Sequence, residues 1–357
     1  MRGVPILLAR VVYGTSWFFL SPYLPYLIGS IHAPHYFVSL IPLSFFASAA
    51  IMQVPAAIIS TKLGMKRTYT LGLMIMGVSD SLIGLFKEPY TVLILYAFTG
   101  FGASFFFSSA GGTLAVLNEG RVTTALGLYN AMFAVGGILG LNWGFVDSIL
   151  GFKLASIFLG SLTALMGIVN WFASYPNIRP NFKVIKDVRV AIIALATSGI
   201  WGSYYVVSEY FPSFSFYVLG RSAIITGSIS SILLLSSVLG GALSALIERR
   251  DKIKWIVITG VLGVIPVISL YTPYYGVGLF IMGFFNEMSI SVIYSLVVDI
   301  VKSGNSSLSL AVINAIQIGL GMNELIIPSI AGFYVWVVVC LVSTLPLFLL
   351  NLVRQSI

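Results

Sequence analysis

The sequence predicts an all-α membrane protein with twelve transmembrane helices, arranged as two repeats of six. The first observation is composition: 58% of the residues are hydrophobic and only 8% are charged, whereas soluble globular proteins carry roughly 25% charged residues. The second is that the apolar residues form segments of about 20 residues, the length that crosses a bilayer. The third is a polar linker, Ser174 to Arg189, with apolar segments on both sides.

The apolar segments occur in two sets. The first set covers residues 5–28, 36–60, 68–86, 90–117, 123–146 and 150–173, and the second covers residues 190–214, 222–247, 254–272, 276–300, 306–330 and 333–350. Short turns are predicted at residues 147–149 and 331–332. The expected organisation is an N-terminal bundle at residues 1–173, a cytoplasmic linker at 174–189 and a C-terminal bundle at 190–357.

The two halves share sequence patterns. Residues 16–25 read SWFFLSPYLP and residues 203–212 read SYYVVSEYFP, so that serines, aromatic residues and a proline recur in register. Asn130 and Asn314 each precede an alanine and are followed at the same distance by a glycine. Duplicated membrane halves in the same order are typical of secondary transporters, in which the substrate site lies where the repeats meet.

The basic residues predict the orientation in the membrane. Only Lys87, Lys153 and Arg221 fall in loops that this topology places outside, and Arg10 lies within the first span. All other Lys and Arg residues lie at ends and in loops assigned to the inside, which agrees with the positive-inside rule. We therefore expect a multi-pass protein of the cell membrane with both termini in the cytoplasm. Because the basic residues are scattered over short loops, nucleic-acid binding is excluded.

The loop between the second and third spans reads TKLGMKR and begins at Thr61. It resembles the major facilitator superfamily (MFS), whose loop here has a glycine, three residues, an aspartate, a basic residue, any residue, a glycine and further basic residues. Lys62, Gly64, Lys66 and Arg67 fit this pattern. Thr61 stands where the family has its aspartate, so the role of that acid in a charge relay is not carried over. A gating loop is one interpretation, and basic residues held inside by topology alone are the other.

Glycines in the fifth span also match a motif of the family's antiporters, although Leu141 stands where that motif has proline. These glycines are Gly127, Gly136, Gly140 and Gly144. A small-residue seam for helix packing explains the same pattern. The resemblance covers nearly the whole chain and implies the MFS fold.

Polar and charged side chains within the spans mark a candidate site, because such residues face a cavity or a partner. Spacings of three, four and seven residues put them on single helical faces. The candidates for substrate or proton binding are Arg10, Trp17, Trp201, Tyr205, Glu209, Glu287, Tyr294, Asn314, Gln317 and Glu324. The resemblance implies that spans one, seven and ten line the central cavity and that span eleven flanks it.

Glu287 lies near the middle of its span and is the strongest candidate. Burial in apolar surroundings favours the neutral carboxyl, which suits the uptake and release of a proton. The alternative is a carboxylate that pairs with Arg10 or bonds to a neighbouring helix. Arg10 itself could extend to the cytoplasmic surface or bind a substrate carboxylate. Glu209 and Glu324 are predicted to be exposed near the outer helix ends, and Asp80 is predicted to be structural.

The predicted function is secondary active transport by alternating access, with proton-coupled export of an amphipathic or cationic small molecule. The acids and aromatic residues of the spans favour such a solute through stacking and cation-π contacts. Proton-coupled uptake of a sugar or another metabolite is the first alternative, and a transport-inactive membrane sensor is the second.

The sequence lacks the motifs that are typical of other classes of protein. No GxxxxGK[ST] phosphate loop, GxSxG or HExxH motif occurs, so neither a nucleotide motor nor an enzyme is expected. We expect no cofactor and no metal ion. The predicted partners are a small-molecule substrate, protons and the lipid bilayer, with the chain acting as a monomer.

Overall fold

The computed structural model describes residues 2–118, 122–179, 188–247, 250–301 and 306–354, and no strand occurs among them. Residues 180–187 of the predicted linker lie outside this description. Contacts between Cα atoms divide the chain into two compact units. Unit 1 contains Met1–Phe182 and Ala223–Ser228, and unit 2 contains Lys183–Ser222 and Ile229–Ile357.

The first eight helices belong to unit 1. They are α1 (Val4–Phe18), α2 (Leu24–Ser30), α3 (Phe37–Leu63), α4 (Met65–Ile83), α5 (Pro89–Leu117), α6 (Val122–Leu141), α7 (Trp143–Leu150) and α8 (Phe152–Phe172).

The other helices belong to unit 2, except that α10 begins in unit 1. They are α9 (Val188–Tyr217), α10 (Ala223–Leu243), α11 (Lys252–Val264), α12 (Tyr275–Val301), α13 (Ser306–Gly321), α14 (Ile327–Ala331), α15 (Val335–Thr344) and α16 (Leu350–Arg354). Short 3₁₀ turns at Ser244–Ile247, Ile265–Tyr271, Met322–Ile326, Gly332–Tyr334 and Leu345–Leu349 follow or join these helices.

The helices follow the order of the predicted spans. Within the described residues, eight helical stretches are long and apolar enough to cross a membrane, or nine when the bent pair α6–α7 counts as one span. One of the eight, Val312–Val353, has 42 residues and turns at Gly332, where φ is +53°, so it is long enough for two spans. The pair α1 and α2 occupies the place of the first predicted span, and the 19-residue α4 occupies that of the third. The order of the helices is therefore consistent with two six-helix repeats.

The turn predicted at residues 147–149 is wrong, whereas the turn predicted at 331–332 is confirmed. The break in the fifth span falls at Asn142, whose Nδ2 donates to the Ile138 carbonyl at 2.8 Å. The two helices on either side of it differ in direction by 42°. Helix α7 then continues to Leu150, and the chain turns at Gly151 with a φ of +77°.

Close approaches of helix backbones at glycine hold unit 1 together. At Gly14 on α1, a Cβ would lie 2.5 Å from the Phe133 carbonyl oxygen of α6. At Gly140 on α6, a Cβ would lie 2.7 Å from the Thr15 carbonyl oxygen of α1. Small residues permit this approach in membrane bundles. The contacts therefore support the packing interpretation of the glycines in the fifth span.

Helix α9 lies at the centre of unit 2. Its apolar side joins α11 and α12 in a cluster that includes Ile200, Ile256 and Ile293, all fully buried. At Gly321 on α13, a Cβ would lie 2.8 Å from the Ser198 carbonyl oxygen of α9. The first and fifth spans of each repeat are therefore packed closely at glycine: α1 against α6 in the first repeat, and α9 against α13 in the second. This shared packing corresponds to the repeated sequence pattern.

The contact between α4 and α8 gives a test of this packing. A Cβ at Gly77 would lie 2.6 Å from both the Gly160 carbonyl oxygen and the Ala164 backbone nitrogen. Gly77→Ala must separate two backbones, so we expect a loss of about 1–3 kcal/mol in stability, measured by thermal unfolding of the purified protein in detergent. Gly29→Ala is the control, because no atom lies within 4 Å of the added Cβ. Equal unfolding temperatures for the two variants would contradict the packing assignment.

Candidate functional site

Arg10 lies on α1 inside a ring of aromatic side chains. Only 3% of its surface is exposed. Its guanidinium carbon lies 4.2 Å from the ring centre of Tyr129, 4.4 Å from Tyr13, 4.7 Å from Phe133 and 5.1 Å from Phe107. Cation-π contacts of this kind are each worth about 0.5–2 kcal/mol. The expectation that Arg10 extends to the cytoplasmic surface is wrong, because α1, α5 and α6 enclose the side chain.

Trp17 lies further along α1 and is buried in the same aromatic cluster. Its ring centre lies 5.7 Å from Tyr13 and 5.4 Å from Phe133, two of the rings that hold Arg10. On its other sides it meets Phe45 at 5.0 Å and Phe46 at 5.2 Å. Within unit 1, a buried cation therefore adjoins a buried cluster of aromatic side chains.

Glu287 lies near the middle of α12 and is half-buried. Its Cγ atom lies 3.2 Å from the place that a Cβ of Gly241 on α10 would occupy, so the absence of a side chain at Gly241 makes room for it. Burial acts on its carboxylate, with no hydrogen bond from the described residues, and Tyr204 on α9 lies close enough to interact with it electrostatically. The carboxylate is thus set into unit 2 without a fixed donor.

Hydrogen bonds between helices join most of the other candidates of unit 2. Trp201 Nε1 on α9 donates to Gln317 Oε1 on α13 at 3.1 Å, and Gln317 Nε2 donates to Thr197 Oγ1 at 2.7 Å. Tyr294 on α12 donates its hydroxyl to Asn314 Oδ1 at 3.1 Å. The structure therefore brings together candidates that are more than 100 positions apart in the sequence. Tyr205 is also buried, with its ring centre 5.5 Å from that of Trp201.

The predicted exposure of Glu209 and Glu324 is wrong. Glu209 is only 1% exposed, because α9 continues two turns beyond it to Tyr217. Glu324 is 5% exposed, because the 3₁₀ turn after α13 directs its side chain inward. There Ser343 Oγ donates to Glu324 Oε2 at 2.7 Å. A Cβ at Gly202 would overlap the Glu324 carboxylate, so this glycine provides the space.

Asp80 and Asp147 are two buried acids of unit 1 in different surroundings. Asp80 is fully buried and accepts hydrogen bonds from Ser16 at 2.6 Å and Thr99 at 2.8 Å, which supports the structural role expected for it. Asp147 is 3% exposed, and neither carboxylate oxygen has a hydrogen-bond partner among the described residues. Asp147 is absent from the candidates predicted from sequence because the turn predicted at residues 147–149 includes it. The sequence signal that could have identified Asp147 is a single acidic residue within an apolar stretch.

The proposed gating loop is bound to the start of the linker. Asn177 Nδ2 donates to the Leu63 carbonyl at 2.8 Å, and the Arg67 amide donates to Asn177 Oδ1 at 3.5 Å. Lys66 Nζ donates to the Ala173 carbonyl at 2.6 Å. The asparagine therefore satisfies backbone groups at the end of α3 and the start of α4.

Gly64 leaves the space that the side chain of Asn177 occupies between α3 and α4. Gly64 has a φ of +85°, and a Cβ at this position would overlap the Asn177 side chain. Among the described residues, Thr61 bonds only to the Ile58 carbonyl of its own helix, at 2.8 Å. Lys62 and the Arg67 side chain are exposed. In this loop an amide from the linker makes the contacts between helices, and Thr61 makes none with the other described helices.

This fold, with its polar side chains enclosed by apolar helices, defines a multi-pass helical membrane protein. The sequence signature of the Major Facilitator Superfamily matches residues 6–323, so the chain belongs to this family of membrane transporters. The predicted MFS fold is confirmed. No curated protein matches the chain significantly by sequence.

Two solved structures of transporters have a similar fold. The first is the crystal structure of a bacterial homolog of the human lysosomal transporter Spinster, in an inward-facing and occupied conformation. Its TM-score is 0.75 at 13% identity, with 99% of this chain and 96% of that chain covered. The second is the crystal structure of a point mutant of the nucleoside transporter NupG, with a TM-score of 0.75 at 14% identity and 99% of both chains covered. At these identities the similarity concerns the fold alone.

The contact between loop and linker gives a second test. We expect Asn177→Ala to raise hydrogen exchange at the Met65 amide, which donates to the Ile178 carbonyl at 2.8 Å. Loss of a hydrogen bond worth about 1 kcal/mol corresponds to about fivefold faster exchange. Mass spectrometry of the peptide that contains Met65 measures it. Asn323→Ala is the control, because Asn323 Nδ2 bonds only to carbonyls of its own helical turn. Unchanged exchange in Asn177→Ala would refute a role for the linker in holding the loop.

Proposed function

We propose that this chain is a secondary active transporter that works by alternating access and couples export of an amphipathic small molecule to protons. Glu287 is the proposed proton-binding residue, and the loop formed by Lys62, Gly64, Lys66 and Arg67 is the proposed gate. The basic residues of the short loops support an orientation in the cell membrane with both termini in the cytoplasm. The functional unit is proposed to be a monomer.

The environment of Glu287 carries the proposal of proton coupling. A carboxylate half-buried among apolar helices is disfavoured in its charged form, and no hydrogen bond from the described residues stabilises that form. Asp80 and Glu324, by contrast, accept hydrogen bonds from neighbouring hydroxyl groups. Of these three acids, Glu287 is therefore the one best suited to gain and lose a proton as its surroundings change.

The aromatic surface of unit 1 supports an amphipathic solute over a purely cationic one. Tyr13, Phe107, Tyr129 and Phe133 already lie against the guanidinium of Arg10, so these rings do not offer free faces to a second cation. Trp17 and its phenylalanine neighbours form the apolar cluster beside this cation. The remaining proposed binding residues are Trp201, Tyr205, Glu209, Tyr294, Asn314, Gln317 and Glu324.

A pH-gradient assay tests the coupling. The purified protein is reconstituted into liposomes that contain a fluorescent pH indicator, and amphipathic acids, neutral compounds, amines and sugars are added in turn. For wild type we expect one class of solute to move protons. Glu287→Gln should abolish this proton movement while solute exchange without a pH gradient continues, because glutamine binds no proton in this range.

Glu88→Gln is the matched control, since Glu88 is an exposed loop residue that caps the start of α5 through Thr91. Proton-coupled flux through Glu287→Gln at the wild-type rate would remove Glu287 from the mechanism. Absence of flux for every solute, together with ligand binding, would favour the membrane sensor. Net movement in the uptake direction alone would replace export by uptake.

A further inference from the structure

The guanidinium of Arg10 has incomplete hydrogen bonding. Its Nε and Nη1 atoms are buried and have no hydrogen-bond partner among the described residues. Aromatic faces stabilise the positive charge, but they accept only weak hydrogen bonds from N–H groups. A buried donor without an acceptor is destabilising. The hydroxyl groups of Tyr13 and Tyr129 interact with the guanidinium, but they leave Nε and Nη1 without an acceptor among the described residues.

The positive charge of Arg10 has no neutralising acid among the described residues of unit 1. No described carboxylate of unit 1 forms an ion pair with it. Asp80 is engaged by Ser16 and Thr99, and the carboxylate of Asp147 has no hydrogen-bond partner in the part of the chain that the structure describes. A buried charge without a counter-ion is strongly destabilising. An apolar side chain of similar length would fill the same space without that cost, so packing alone does not account for an arginine here.

The residue type indicates which ligand would complete the site. The planar guanidinium offers donors in a fixed arrangement that matches the oxygens of carboxylate and phosphate groups. Tyr13 and Phe133 contact both Arg10 and Trp17. The apolar cluster around Trp17 is therefore separated from the cation by a single aromatic ring. A ligand that satisfies both parts has an anionic group on an apolar body.

We propose that Arg10 binds the anionic group of the transported solute, and that the solute is an amphipathic organic acid with a carboxylate or phosphate head. The aromatic cluster around Trp17 contacts its apolar part. This inference rests on the proposed transport function and specifies the substrate class.

Ligand-induced thermal stabilisation of the purified full-length protein tests the substrate class. The probes share one phenyl group and differ in the polar end: phenylacetate, phenyl phosphate, 2-phenylethanol and 2-phenylethylamine. We expect the two acids to raise the unfolding temperature and the alcohol and the amine to leave it unchanged. The difference between phenylacetate and phenyl phosphate identifies the preferred head group.

Variants of Arg10 test the residue. Arg10→Gln should weaken binding of the acids by about tenfold or more, and Arg10→Lys should weaken it less, because lysine keeps the charge but loses the planar donors. Arg221→Gln is the matched control: Arg221 also lies over an aromatic ring, Tyr275 at 4.9 Å, in the other unit. It should bind the acids as wild type does.

Three results would overturn the proposal: no stabilisation of wild type by either acid, equal stabilisation by 2-phenylethylamine, or wild-type affinity of Arg10→Gln for the acids. If Arg10→Gln does not fold, Arg10→Lys decides, and unchanged affinity in that variant overturns the proposal. The proteoliposome assay separates this inference from the transport proposal. Binding of acids through Arg10 without any flux would contradict the transport proposal and support the anion site. Flux of a solute without an acidic group would support transport and contradict the anion site.

Discussion

Hydrocarbon supplies no hydrogen bonds, so each polar group within the spans depends on the protein for its partners. This constraint determines which faces of the helices meet. In unit 1, Asp80 joins α4 to α1 and α5 through Ser16 and Thr99. In unit 2, Gln317 joins α13 to α9 through Thr197 and Trp201. These bonds fix the register of helices whose apolar surfaces alone would allow many arrangements.

The same constraint separates two kinds of buried charge. Asp80 and Glu324 receive donors from neighbouring helices, and their burial is explained by the fold. Among the described residues, Asp147 and two donors of Arg10 have no hydrogen-bond partner, and no hydrogen bond stabilises the carboxylate of Glu287. Proteins retain such groups where a ligand, a proton or a second conformation completes them. The proposed solute and proton sites follow from that contrast rather than from polarity alone.

Glycine has two roles in this architecture. Between helices it lets backbones approach, as at Gly14 in unit 1 and Gly321 in unit 2, and the repeated use of the same spans gives the two units equivalent packing. At Gly202 and Gly64 it instead makes room for a polar side chain, Glu324 or Asn177. The second role links the loop after α3 to the linker, where Asn177 makes the contacts between helices that Thr61 does not make.

The sequence by itself determined the class of protein, the order of the helices and the repeat, because apolar length and basic loops reflect the membrane directly. It also placed Arg10, Trp17 and Glu287 within helices. It did not predict the break at Asn142, because a side chain that caps its own helix leaves no change in hydropathy. It misplaced Glu209 and Glu324, because position along the chain does not reveal how far a helix continues or where a 3₁₀ turn directs a side chain.

Only the tertiary structure decided which polar groups have partners. The aromatic ring around Arg10 comes from α1, α5 and α6, and the partner of Gln317 lies more than 100 positions away in the sequence. Such contacts depend on the distance between helices, which small residues and shape complementarity set. Sequence periodicity determines which side chains share one face of a helix. Which other helix that face contacts is determined only when the helices pack.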